Sequence, residues 1–405
     1  MAYTPSPEIL KNYADVLVNF ALGGGAGIKP GEVVYLVANE SAKPLYMALR
    51  KAIWEAGGHV IGNYLPDEDD RYNFSKDFFA TANDEQLSYF PHTYFKGLVE
   101  QVDHQLVILS DYDPHMLEGI DPKKMMKTAE ALKPWRDMRT KKEHAGKFTW
   151  TLALYGTPAM AAEANLSEAE YWQQIIDACF LEEADPIGKW KEVQGQIHEY
   201  MDKLNALDIE TVHAVGEDID LKVTIGEDRR WLGGGGRNIP SFEIFTSPDW
   251  RGTNGWIRFN MPLYYNGNLI EGIRLEFKDG LVSHVSATKN EAVIKEMIAA
   301  KNANRVGEFS LTDKRHSRIT KFMAETLYDE NIGGPFGNTH IALGMSYADT
   351  YNGDVTKLTP ADLERLGYNN SSVHTDMFST TDRTVTATLA DGSQKVIYKD
   401  GQFQL

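Results

Sequence analysis

The chain has 405 residues, which is too long for one ordinary domain and predicts two. Hydrophobic residues make up 42%, enough for well-packed cores, and an excess of acidic residues gives a formal net charge of -17. This charge argues against nucleic acid or an anionic membrane surface as a partner, because both would be repelled. Without a signal peptide or a long apolar run, the sequence predicts a soluble cytoplasmic protein.

The first half of the sequence alternates between helical and strand-like segments. A helix is predicted over EILKNYADVLVNFAL, with its cap at Ser6-Pro7. Strands are predicted, with helices between them, at VVYLVA (33–38), HVIGNYL, HQLVILSD and FTWTLALYGTP. Such alternation predicts βαβ units and a mostly parallel sheet. A long helical stretch, from about Glu168 to Leu204, then joins the two halves.

The second half reads as short antiparallel strands. ETVHAVGEDIDLKVTIG alternates with period two, and the dipeptides NG and DG further along predict hairpin turns. One helix is predicted over RITKFMAETLYDEN, and hairpins close the chain. The predicted fold class is therefore an α/β N-terminal domain with a mostly parallel sheet over 1–205, followed by a β-rich α+β domain over 206–405.

Several familiar motifs are absent or incomplete. GGGAGIKPG at 23–31 precedes the first strand, whereas a dinucleotide fingerprint follows a strand and opens a helix. GGGGR at 233–237 lies between strand-like segments, and HEYMD at 198–202 lacks the second His of the helical zinc-protease motif. Cys179 is the only cysteine, which excludes an intramolecular disulfide and a cysteine-based zinc site. Its side chain is predicted to be a small buried group.

His374 and Asp376 lie one residue apart in SSVHTDMF, so in a strand their side chains point to the same face. Such a pair can be a structural hydrogen bond, a proton relay or half of a metal site, and the residues alone leave all three open. Other acidic and imidazole side chains of this half have small or apolar neighbours or end a predicted helix: Glu243, Glu308, Glu330 and His340. Each of these also has an ordinary structural interpretation, as a solvent-facing or internally paired residue. An ionised carboxylate among apolar residues is costly unless it is paired or metal-bound.

Ordered blocks of the second half carry a family resemblance: PSFEIFTSPDWRGTNGWIRFNMPL, GEFSLTDKRHSRI, YDENIGGPFGNTHIALGMSYADTY and VHTDMF. With these blocks the chain resembles the thermophilic metallo-aminopeptidase family of aminopeptidase T and PepS-type enzymes, and the PepS-type branch in particular. The resemblance implies a metal-dependent enzyme that releases N-terminal amino acids from peptides with a free N-terminus. It also implies two divalent ions (zinc, cobalt or manganese), an activated water, and a homodimer to which the first half contributes walls and contacts.

The family pattern of metal ligands, carried over position by position, falls on Glu243, Glu308, Glu330, His340, His374 and Asp376. GGPFG lengthens the path from Glu330 to His340 relative to that pattern. Tyr347 matches a catalytic-site tyrosine, and Glu243 or Glu308 would be the general base. Two alternatives stay open on the sequence: another binuclear hydrolase, such as an amidase or phosphoesterase, and a non-enzymatic ligand-binding α/β protein.

Overall fold

The computed structural model describes residues 3–69, 71–265 and 268–405. The α-helices of this part of the chain are α1 (Pro7–Val16), α2 (Lys43–Glu55), α3 (Phe74–Thr81), α4 (Asp84–Leu87), α5 (His92–Gln101), α6 (Pro122–Ala131), α7 (Lys133–His144), α8 (Pro158–Glu163), α9 (Glu168–Ala178), α10 (Pro186–Asn205), α11 (Glu291–Ala299), α12 (Thr326–Asp329) and α13 (Pro360–Arg365). In the same described ranges, no helix is both long enough and apolar enough to cross a membrane.

The β-strands of the described residues are β1 (Val33–Asn39), β2 (His59–Leu65), β3 (His104–Leu109), β4 (Thr149–Leu154), β5 (Ile209–Gly216), β6 (Ile219–Thr224), β7 (Leu232–Gly233), β8 (Asn238–Ile239), β9 (Glu243–Thr246), β10 (Asp249–Arg258), β11 (Leu263–Tyr265), β12 (Asn268–Ile270), β13 (Arg274–Lys278), β14 (Leu281–Ser286), β15 (Val306–Thr312), β16 (Asn338–Gly344), β17 (His374–Ser379), β18 (Arg383–Leu389), β19 (Gln394–Lys399) and β20 (Gln402–Phe403). The chain divides into two compact units. One comprises the residues up to Trp190 with Gly235–Ile239, and the other comprises Lys191–Gly234 and Pro240–Leu405.

The first unit contains the predicted α/β fold. Its sheet has the order β2-β1-β3-β4-β8, and all neighbouring strands are parallel. The apolar runs of β1 and β3 supply buried side chains such as Val34, Leu36 and Leu106, as expected for a sheet covered by helices. At the start of α1 the Ser6 hydroxyl accepts the Ile9 N–H, so the predicted cap is confirmed.

The prediction of a single long helix from Glu168 to Leu204 is wrong, because the segment forms two helices, α9 and α10. Helix α9 ends at Ala178, and Phe180 then has a left-handed backbone with φ of 58°. Helix α10 begins at Pro186, which lacks the amide hydrogen that a continuous helix requires. Cys179, at the end of α9, is buried as predicted. The division between the two units lies inside α10, whereas the predicted boundary near residue 205 lies at its end.

The second unit is β-rich and antiparallel, as predicted. One sheet has the order β14-β13-β10-β6-β5-β18-β19-β20, and a five-stranded sheet has the order β17-β16-β15-β9-β7. The predicted DG turn joins β13 to β14 at Asp279 and Gly280, both with positive φ. The predicted NG turn, residues 266 and 267, lies outside the described residues. Strands β11 and β12 on either side of it pair antiparallel.

The helix predicted over RITKFMAETLYDEN is wrong for most of its length, since only Thr326–Asp329 is helical. The buried carboxylate of Asp329 accepts the backbone N–H of Met323 at 2.6 Å and that of Glu325 at 2.9 Å. Between them Ala324 has a left-handed backbone with φ of 52°. A side chain that takes backbone N–H groups in this way competes with the helical hydrogen bonds, so the helix is reduced to one short turn.

Candidate metal centre

The candidate residues lie on one face of the five-stranded sheet. In the register of the strands, Ala342 of β16 stands between Glu308 of β15 and Asp376 of β17, and two residues earlier His340 stands opposite Ser310. Directly opposed residues of antiparallel strands point to the same face, and side chains two residues apart share it. The pairing therefore places the Glu308, His340 and Asp376 side chains together on three neighbouring strands.

The same register adds the remaining strand residues to this face. Glu243 of β9 is paired with Thr312, which shares a face with Glu308 and Ser310. His374 of β17 is paired with Gly344, at the end of β16. The central strands β15 and β16 are buried along their whole length, so the carboxylates and imidazoles they carry are held inside the unit.

Glu308 lies between the two imidazoles. Its Oε1 is 3.2 Å from Nε2 of His340, and its Oε2 is 3.8 Å from Nε2 of His374. His340 Nε2 is also 3.2 Å from Oε2 of Glu243, and His374 Nε2 is 3.5 Å from Oδ1 of Asp376. The Glu308 carboxylate is therefore shared by two groups of potential ligands.

Glu330 approaches the sheet face from the C-terminal end of α12. The structure brings all six candidates into three overlapping groups, within each of which the ligand atoms lie within 4.8 Å of one another. The groups are Glu243–Glu308–His340, Glu308–His374–Asp376 and Glu330–His340–Asp376. The GGPFG segment between Glu330 and His340 thus does not separate these two residues.

Burial and mutual repulsion raise the pKa values of two of the carboxylates. Burial raises the pKa of Glu308 to about 7, against the hydrogen bond from His340. The negative charges of Glu243 and Asp376 act in the same direction as burial. Burial, with Glu243 and Asp376, also raises the pKa of Glu330 well above its usual value. The cluster therefore holds more negative charge than the protein alone stabilises, so a bound cation would favour its ionised form.

The pKa values of the two imidazoles are also raised, which favours their charged form. Burial alone would lower the pKa of His340, but its hydrogen bonds to Glu243 and Glu308 outweigh burial and raise it well above the usual value. Burial would also lower the pKa of His374, yet the charge of Asp376 leads the effects that raise it to about 9. Despite burial, the pKa of Asp376 is lowered by the charge of His374. The charged forms of His340 and His374 thus balance the neighbouring carboxylates, a role that a bound cation would take over.

The residues fit a divalent metal ion. Nδ1 of His340 is buried and has no hydrogen-bond partner among the described residues, and the nearest imidazole nitrogen to Oδ1 of Asp376 is Nε2 of His374, 3.5 Å away. Buried polar atoms are almost always hydrogen-bonded, so the His340 nitrogen points to a further ligand. Carboxylate oxygens and imidazole nitrogens are suitable ligand atoms for zinc, cobalt and manganese, so such a site needs no cysteine.

Tyr347 lies beside the cluster. Its ring packs edge-on against the ring of His374, with centroids 4.8 Å apart, and against Phe245 at 5.9 Å. Its backbone is held at both ends: its N–H donates to Ser247 Oγ at 2.8 Å, and its carbonyl accepts from Thr350 Oγ1 at 2.7 Å. The tyrosine is therefore fixed next to one of the candidate ligands.

Two residues of the site were not identified from the sequence. Ser310 Oγ donates to Glu243 Oε2 at 2.9 Å, and both side chains are buried. Asn331, next to Glu330, donates to Glu330 Oε1 at 3.3 Å. The alternation in EFSLT would have placed Ser310 on the face of Glu308, whereas nothing in the sequence singles out Asn331.

Comparison with known proteins decides the family. The sequence model of the thermophilic metalloproteases (M29) matches residues 6–403. The chain belongs to this family. It is 28% identical to aminopeptidase PepS of Streptococcus thermophilus over 421 residues, covering 98% of both chains, and 28% identical to aminopeptidase 2 of Geobacillus stearothermophilus, covering 97% of both. The solved structure of AmpT from Thermus thermophilus matches with a TM-score of 0.81 at 24% identity, over 98% of this chain and 99% of that one.

Family membership confirms the resemblance found in the sequence. The M29 relatives are aminopeptidases and match along nearly the whole chain, so the protein is a metal-dependent aminopeptidase, a hydrolase. The AmpT match supports the fold, an α/β unit with a parallel sheet and a second unit with antiparallel sheets. The alternative of a non-enzymatic binding protein is thereby set aside.

Proposed function

We propose that the six clustered residues hold two divalent ions and that the chain removes N-terminal amino acids from peptides with a free N-terminus. The observation that carries the binuclear proposal is Glu308, whose two oxygens face different imidazoles, those of His340 and His374. Glu308 would therefore contribute to two ligand groups, one with His340 and one with His374. Zinc, cobalt and manganese all match the donor set.

Divalent ions held by these residues would supply polarisation of the scissile carbonyl and a water of lowered pKa that can react near neutral pH. The protein supplies the proton acceptor. Glu243 and Glu308 both lie in the cluster, and because Glu308 has both oxygens directed at imidazoles, we assign the general base to Glu243. The hydrogen bond from Ser310 holds the Glu243 carboxylate in one orientation. The proton taken from water then passes to the leaving amine.

Tyr347 and the acidic cluster account for the rest of the reaction. The Tyr347 hydroxyl would donate a hydrogen bond to the oxyanion that develops on the substrate carbonyl. A carboxylate of the cluster that is not engaged by metal would pair with the α-ammonium group of a substrate. An acetylated or internal nitrogen carries no positive charge, which would restrict cleavage to the first peptide bond. The homodimer stays a prediction from the family resemblance.

The proposal is tested with an aminoacyl anilide and its N-acetylated counterpart. We expect hydrolysis of the first only, its loss on treatment with a chelator, and partial recovery when zinc, cobalt or manganese is added. Metal content measured by plasma emission on the same samples should approach two ions for each chain. Equal cleavage of the acetylated substrate would contradict the exopeptidase assignment, and a recovery complete at one ion would contradict the binuclear centre.

The pKa shifts predict how the metal-free protein responds to pH. Glu308 has a folded pKa of about 7 against a usual 4.5, so its ionisation costs stability increasingly as the pH rises between these values. His374 has a folded pKa of about 9 against 6.5, so its stabilising charge is present below 6.5 and is lost as the pH rises through 9. The lowered pKa of Asp376 makes the stability depend on pH only below the usual value of 3.8, which is below the pH range considered for Glu308 and His374. The ionisation of Glu308 and the loss of charge on His374 therefore both lower the stability of the metal-free protein as the pH rises.

We therefore expect the free energy of unfolding of chelator-treated protein to fall as the pH is raised from 4.5 to 9. Metal affinity should rise over the same window, because the ion displaces protons that the cluster retains at low pH. Urea unfolding of chelated and reloaded protein measures the first effect, and calorimetry in buffers of different ionisation enthalpy measures the protons released. No proton release at pH 7, the pKa of Glu308, would contradict the assignment of these groups as ligands.

A further inference from the structure

Asn331 joins two parts of the metal centre that are distant in sequence. Its side chain is fully buried, and its Oδ1 accepts the backbone N–H of Phe242 at 2.7 Å across 89 residues of sequence. Its Nδ2 donates to the carbonyl of Leu327 at 3.1 Å and to Glu330 Oε1 at 3.3 Å. The Phe242 N–H fixes the orientation of the amide, because only the oxygen can accept it. One side chain thus binds the residue before Glu243 and the carboxylate of Glu330.

The chain around Asn331 is also tied to the central strand of the site. Asn338 is the first residue of β16 and lies two residues before His340. Its Nδ2 donates to the carbonyl of Asp329 at 3.1 Å. The Asp329 carboxylate in turn holds the backbone of the preceding loop. The short helix α12 therefore has fixed attachments on both sides of Glu330, and Asn331 supplies the attachment to Phe242, the residue before β9.

We propose that Asn331 is a positioning residue, which sets the separation of the Glu243 and Glu330 carboxylates and thereby the affinity for the divalent ion. The inference rests on the proposed ligand set. Asn331 acts through two ligands and need not touch the ion or the substrate. Its chemistry suits this role, because a neutral amide donor orients the Glu330 carboxylate without adding a positive charge that would repel the ion.

Asn205 provides a control for the loss of an asparagine amide that binds backbone groups. Its exposed side chain binds the backbone of a single residue, Trp231, accepting the N–H at 2.7 Å and donating to the carbonyl at 3.0 Å. Asn331 is buried and joins two segments of the chain. Both asparagines lie in the second unit, but the partner of Asn205 is not one of the six candidate ligands. The Trp231 ring lies 6.2 Å from that of Phe309, so Asn205→Ala reports the cost of losing such a contact close to the site while every hydrogen bond to a candidate ligand is kept.

The experiment compares wild type, Asn331→Ala and Asn205→Ala in full-length protein. Affinities for Zn²⁺ and Co²⁺ are measured by competition with a chromogenic chelator, and the visible spectrum of the Co²⁺ form reports ligand geometry. We expect Asn331→Ala to weaken metal binding by about 10- to 100-fold and to alter the Co²⁺ bands, in line with the loss of residues that support metal ligands elsewhere. Both variants should lower the stability of metal-free protein, but Asn205→Ala should keep the wild-type affinity.

Wild-type affinity and an unchanged Co²⁺ spectrum in folded Asn331→Ala would overturn the proposal. If that variant does not fold, Asn331→Ser, which leaves a smaller cavity and a hydroxyl for the exposed backbone groups, is measured in its place with the same expectation. Failure of both to fold would also overturn it, because Asn331 would then serve the fold and not the site. The ligand set itself fails in a different way, if wild type binds no divalent ion or Glu308→Gln binds it normally.

Discussion

Replacement of Glu308 by glutamine is expected to remove both metal binding and activity. Glutamine has the same shape but carries no charge, and it cannot present two anionic oxygens toward His340 and His374. We expect activity on an aminoacyl anilide to fall by more than about 100-fold, the upper figure for residues that merely support a ligand. Metal content by plasma emission should fall with it, since the residue is shared by two of the three ligand groups.

The stability of the same variant separates loss of the ion from loss of the fold. Burial and the neighbouring Glu243 and Asp376 already disfavour the ionised form of Glu308, as its raised pKa shows. Metal-free Glu308→Gln should therefore be at least as stable as metal-free wild type at neutral pH, in urea unfolding. Glu210→Gln, at an exposed position of β5 in the same unit, is the control and should keep both metal and activity. Full metal occupancy in Glu308→Gln would remove this residue from the site.

Replacement of Tyr347 by phenylalanine is expected to affect the rate and not the metal. Phenylalanine keeps the ring contacts with His374 and Phe245 and the backbone clamps, and it lacks only the hydroxyl. If that hydroxyl stabilises the oxyanion, kcat should fall by about 100- to 1000-fold while KM stays near the wild-type value. Steady-state kinetics with one aminoacyl anilide, alongside metal analysis, makes this measurement.

Tyr351→Phe provides the comparison for Tyr347→Phe. A short 3-10 turn, Ala348–Thr350, lies between Tyr347 and Tyr351, so this substitution removes a nearby tyrosine hydroxyl from a residue that is not assigned to the reaction. A loss of rate in both variants would indicate a general disturbance of the loop. An unaltered kcat in Tyr347→Phe would leave Tyr347 as a packing residue beside His374.

The strands of the first unit and the faces of the site strands follow from local sequence. The period-two alternation of VGEFSLT separates Glu308 and Ser310 from Phe309 and Leu311, and the strand register, which pairs Glu308 with Ala342 and Ser310 with His340, agrees with this. Alternation within a strand does not predict which strands become neighbours in the sheet. The register that places Ala342 between Glu308 and Asp376 depends on long-range pairing, so the six residues could be named from the family resemblance but not brought together.

The incorrect helix predictions also have a physical cause. RITKFMAETLYDEN has helical spacing, but the buried carboxylate of Asp329 takes the N–H groups that a helix would use. The cost of leaving this carboxylate without partners inside the unit outweighs local propensity. The contact of Asn331 could not be predicted from the sequence for a related reason. Its partner Phe242 lies 89 residues away, and no local pattern marks the pair.

The burial of β15 and β16 along their whole length has a consequence for how the site opens. We expect the backbone amides of such buried strands to exchange with deuterium mainly through unfolding of the whole unit. The candidate ligands on these two strands would then stay in place during local fluctuations, and the energy that holds them would be that of unfolding the unit. Any ion bound there adds to that energy in proportion to the logarithm of its concentration over its dissociation constant, and so slows exchange across the sheet.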